Sequence, residues 1–71
     1  MGKDITDEQV DALILLAQDK EWPRDTSKAS NRTMNRLRFF GFAEIINYAN
    51  GPHWITTKLG HQFINNLKPN I

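Results

Sequence analysis

No cysteine occurs in the 71 residues, so neither a disulfide framework nor a thiolate metal site can be built. No stretch approaches the roughly 18 consecutive apolar residues that span a membrane. The opening Met1-Gly2-Lys3-Asp4 lacks the apolar segment of a secretory signal, so a cytoplasmic protein without membrane contact is expected. Residues Met1 to Thr6 match the form of a myristoylation motif, but Thr6 has a better role as a helix cap and Asp4 is an odd neighbour there. Asn31-Arg32-Thr33 would be a glycosylation triplet only in a secreted chain. The two histidines, His53 and His61, are eight apart with no carboxylate between them, which is poor spacing for a metal. A glycine-rich phosphate loop and a Ser/His/Asp arrangement are also missing. The expectation is a chain that binds a partner, with no enzyme activity, cofactor or metal.

What remains is short and unevenly charged. The length suits one domain. A domain of this size buries only about 60% of its unfolded surface, so its 39% apolar residues must pack compactly, and a homodimer would be a natural supplement. Residues 1 to 21 hold Lys3 and Lys20 against six carboxylates. Residues 22 to 71 hold seven Lys/Arg against Asp25 and Glu44. Five of these cations (Arg24, Lys28, Arg32, Arg36, Arg38) fall within fifteen residues. Charge segregated in this way points to one basic face and an anionic partner.

The periodicity predicts three helices and a hairpin. Thr6 and Gln9 have capping-box spacing, and Ile5 and Val10 that of a hydrophobic staple. Val10, Leu13, Ile14 and Ala17, widened by Leu16, then form a helical stripe, and Pro23 ends the element near Lys20 or Glu21. A second helix is expected from about Ser27 to Phe40, closed by Gly41, with Leu37 and Phe42 placed for a Schellman motif. Its inner side would hold Ala29, Thr33, Met34, Leu37 and Phe40. Strands are expected near residues 42–48 and 53–56, joined through Asn50-Gly51 by a loop longer than two residues, because Pro52 cannot donate a ladder bond. Thr57 would cap a final helix with Leu59, Phe63, Ile64 and Leu67 inward, Gly60 at a close approach and Pro69 at its end. There are no repeats and no linker.

The outer side of the second helix carries the chemistry. Lys28, Arg32 and Arg36 are spaced as one ridge, with Asn31, Asn35 and Arg38 beside it. Arginine forks onto phosphate or a guanine edge, and asparagine pairs with adenine. A generic solvated helix would carry a Glu/Lys mix instead. The hairpin offers Asn50, His53 and Lys58 as further contacts, while Trp54 suits a core anchor better than a stacking platform. Phe39 is the misfit among Arg and Asn, and marks a candidate protein interface.

These residues also resemble a family. Asn31-Arg32-Thr33-Met34-Asn35-Arg36-Leu37-Arg38-Phe39-Phe40-Gly41-Phe42-Ala43-Glu44 is similar to the recognition helix and first wing strand of bacterial and phage winged-helix regulators. Trp54 to Ile64 is similar to their second wing strand and closing helix. The resemblance implies an α+β fold: a minimal winged helix of helix, loop or short turn, recognition helix, two-stranded wing and C-terminal helix. It implies double-stranded DNA as partner and transcription regulation as role. The departure is the short segment before the basic helix, where the family has another helix. A narrower resemblance, through Lys28, Asn31, Arg32, Pro52 and Trp54, is to domains that bind left-handed DNA, although Asn35 stands where those carry a tyrosine. The rival from another class is an inhibitor or adaptor that uses the same scaffold to bind a protein.

Overall fold

The computed structural model describes residues 5–67. They form a small α+β fold in the order α1 (Asp7–Asp19), β1 (Glu21–Pro23), a 3-10 turn (Arg24–Thr26), α2 (Asn31–Phe40), β2 (Ala43–Tyr48), β3 (Gly51–Thr56) and α3 (Lys58–Leu67). The myristoylation-like start and Pro69 lie outside the described residues.

The expected capping box opens α1. The Thr6 hydroxyl accepts from the Gln9 amide at 3.1 Å, and the Thr6 amide donates to Gln9 Oε1 at 3.0 Å. Two of the four orphan N-terminal donors of a helix involve such local bonds. The helix stops at Lys20, which takes a positive φ of 78° while its N–H still reaches Leu16 O at 2.8 Å. Pro23 then keeps Trp22 extended, and the segment becomes β1, a strand the sequence pattern did not suggest.

β1 joins the hairpin in a three-stranded antiparallel sheet of order β1-β3-β2. Trp22, Trp54 and Ile45 stand in one row across the three strands. Tyr48 pairs with Gly51, so the loop is the two residues Ala49 and Asn50, shorter than expected. Pro52 tolerates this because ladder bonding alternates. In a two-residue hairpin the closing pair, here Tyr48–Gly51, is the hydrogen-bonded kind, and the next pair, Asn47–Pro52, is the kind that exchanges none. The proline nitrogen therefore faces the side where β1 has already ended at Pro23–His53.

α2 begins at Asn31, four residues later than expected. Ser30 is its cap, and accepts from the Thr33 amide at 3.2 Å. The helix closes as the glycine placement predicts. Gly41 has φ 87°, its N–H reaches Arg38 O at 2.9 Å, and the Phe42 N–H reaches Leu37 O at 3.0 Å, the bond pair of a Schellman motif. Thr57 Oγ1 caps α3 by accepting from the Gly60 amide at 3.0 Å and donates to Gly41 O at 2.6 Å.

The core holds Leu13 and Leu16 of α1, Met34 and Leu37 of α2 and Trp54 of β3, all fully buried, with Ala12, Trp22, Ala43 and Ile64 around them. Each large side chain buried in this way stabilises the fold by about 1.5–3 kcal/mol. The inner face of α3 differs from expectation. Gly60 and Ile64 are buried and Phe63 stacks on Phe42 at 4.5 Å, but Leu59 and Leu67 are about half exposed. The helix is turned so that Gly60 meets the Phe42 carbonyl, where an added Cβ would lie only 2.2 Å from the oxygen.

Candidate nucleic-acid interface

Thr33, Met34 and Leu37 turn α2 into the core, so the phase read from the sequence is retained. Asn31, Arg32, Asn35, Arg36, Arg38 and Phe39 are all exposed. At about 100° per residue, Phe39 stands near the middle of this outer surface. Arg32 and Arg36 lie on one flank of it, and Asn31, Asn35 and Arg38 on the other. Arg32, Arg36 and Arg38 have no ion-pair partner among the described residues. Their charge is left for solvent or a partner.

Lys28 does not join them, which corrects the expected Lys28–Arg32–Arg36 ridge. Because α2 starts at Asn31, Lys28 lies in the preceding loop, and its Nζ reaches Asp19 Oδ2 at 2.7 Å. The same carboxylate oxygen accepts from Trp22 Nε1 at 2.7 Å. The Lys28 hydrogen bond, then that of Trp22, holds the Asp19 carboxyl below the usual carboxylate range. The acidic N-terminal segment thus claims one of the expected contact cations and leaves the helical arginines free.

The hairpin is also rearranged relative to expectation. Asn50 is exposed in the loop. His53 is not offered at the tip: it is buried, its Nδ1 lies 3.0 Å from Gly51 O, and Tyr48 meets its ring edge-on at 5.0 Å. Pairing opposite Ile46 in mid-strand removes it from solvent. Trp54 is 1% exposed and serves as a core anchor.

Phe39 is 75% exposed. The Arg36 guanidinium carbon sits 5.1 Å from the centroids of both Phe39 and Phe40, whose rings meet edge-on at 5.9 Å. Phe40 continues to Phe42 at 5.8 Å and so to Phe63. A train of rings therefore runs from the core side of α3 to the outer surface of α2, and it restrains Arg36.

The other flank borders a cleft of about 390 Å³. It is lined by Asn31, Asn35 and Arg38 of α2, Arg24 and Asp25 of the 3-10 turn, and Ile45 and Trp54 of the sheet. Arg24 belongs to the basic cluster by sequence, and the fold sets it on the same cleft as Arg38. Only the folding back of the 3-10 turn brings them together. Among the described residues no three His, Cys, Asp or Glu side chains are grouped to hold a metal ion, and no helix is long and apolar enough to cross a membrane. No family model, curated protein or solved structure matches the chain.

Proposed function

We propose that the chain is a small double-stranded-DNA-binding regulator of winged-helix type, with α2 as its recognition helix and the β2–β3 hairpin as its wing. The observation that carries this reading is the outer surface of α2, where three arginines without internal carboxylate partners stand beside two asparagines. In a major groove, Arg32 and Arg36 can fork onto guanine edges, Asn31 and Asn35 can pair with adenine, and Phe39 can meet a thymine methyl group. Asn50, exposed at the hairpin tip, would contact the neighbouring backbone. The element order supports the assignment, with the 3-10 turn at Arg24–Thr26 standing where the family carries a full helix.

One such module contacts about three to five phosphates. Its observed affinity should fall with salt at a log–log slope of about −3 to −4.5. A gel-shift titration of random and operator-like duplexes across salt concentrations tests this. Binding with that slope supports the reading, and absence of binding to any duplex at low salt removes it.

The exposure of Phe39 favours a second reading, an inhibitor or adaptor that grips a protein through Phe39 and Arg36. Loss of duplex binding on Phe39→Ala would fit the first reading, and full retention would leave Phe39 to the second. The left-handed-DNA reading loses support, because Lys28 is engaged by Asp19.

A further inference from the structure

The cleft between the 3-10 turn and α2 gathers hydrogen-bond donors that the fold itself does not use. Arg38 has no ion-pair partner among the described residues, and Arg24 has only Asp25 at 3.9 Å. The Asp25 side chain is 87% exposed, so the cleft's one carboxylate stands at the rim. Asn31 and Asn35 add two carboxamides. Trp54 lines the cleft, and its indole N–H is buried without a hydrogen-bond partner.

We propose that this cleft binds a phosphate ester. The phosphoryl oxygens lie between Arg24 and Arg38, where guanidinium forks match their geometry. The organic part of the ester lies toward Ile45, above the buried Trp54, with Asn31 and Asn35 beside it. The cleft is an open depression of about 390 Å³, more than a bare inorganic anion needs. Donors predominate over acceptors, which selects an anion, and the room beyond the two guanidiniums selects an esterified one. The cleft shares Asn31, Asn35 and Arg38 with the proposed recognition surface, but it does not require that surface to meet a duplex. The ester is either a free mononucleotide or a phosphate of a bound strand.

The two tryptophans provide the test. They face each other across β1 and β3, yet Trp22 Nε1 is held by Asp19 and Trp54 Nε1 is unpaired. Their indole N–H signals in the full-length, ¹⁵N-labelled chain are followed during titration with thymidine 5′-monophosphate, with thymidine, and with a short duplex. The monophosphate should move the Trp54 signal more than that of Trp22, and thymidine should move neither. Replacing both Arg24 and Arg38 by Ala, two exposed positions, should weaken the response at least about tenfold. A Trp54 response to the duplex but not to the monophosphate identifies a strand phosphate as the occupant. A response to the monophosphate from a chain that binds no duplex keeps the cleft and removes the DNA reading. The proposal is overturned if neither ligand moves Trp54, or if the response survives in the Arg24→Ala/Arg38→Ala chain.

Discussion

At the corner between α1 and β1, charge is consumed internally: one oxygen of Asp19 takes hydrogen bonds from both Lys28 and Trp22. On the outer surface of α2, Arg32 and Arg36 carry the same sign as Lys28, only four and eight residues further on, and meet no carboxylate of the described fold. The two regions show that proximity in sequence does not decide what a cation is for. Lys28 steadies a turn, whereas Arg32 and Arg36 find no carboxylate among the described residues.

The difference between the two regions depends on which sides α2 turns inward and outward. Leu37 is fully buried, so Leu37→Ala should cost about 2–5 kcal/mol in denaturant unfolding. A variant of unchanged stability would mean that the outer surface has been misplaced along with the inner one. Gly60→Ala drives a methyl group against a backbone carbonyl that cannot swing aside, and should cost about 3 kcal/mol, the upper end of overpacking penalties. Arg32→Ala probes the free side. Duplex affinity should fall by about 1–3 kcal/mol while stability stays within roughly 0.5 kcal/mol of the parent. Parallel loss of both would place Arg32 with Lys28. Lys28→Ala should do the reverse, with a small loss of melting temperature and unchanged duplex binding.

Acid sharpens the same contrast. The Asp19 carboxyl is lowered when folded, so the unfolded chain binds the proton more readily. The stabilisation is complete above the ordinary carboxylate range and is lost as pH falls through that range to the folded value. Unfolding of the parent and of Asp19→Asn, measured at a series of pH values, should show the variant lacking this part of the acid sensitivity. Identical profiles would mean that the Lys28 and Trp22 bonds contribute nothing.

Local signals carried much of the architecture. The Thr6–Gln9 pair, the Gly41 cap and the inward phase of Met34 and Leu37 are encoded within a few residues, and each occurs as read. Features that needed a distant partner were hidden. β1 is three residues long and exists because β3 pairs with it. Ser27 and Ser30 are both competent caps, but only the later start of α2 leaves Lys28 in the loop beside Asp19. His53 reads as a polar hairpin residue until Tyr48 and Gly51 enclose it. Arg24 becomes a neighbour of Arg38 only after the 3-10 turn folds back.

The Gly41–Phe42 junction has a mechanical consequence. Within two residues the chain receives bonds from the Thr57 hydroxyl and the Thr57 amide, carries the Schellman closure of α2, and abuts Gly60 of α3. A helix clamped in this way cannot tilt without dragging the hairpin and α3 with it. A partner that touches α2 and the Asn50 loop together therefore meets a preset angle, and loses little affinity to ordering the two against each other.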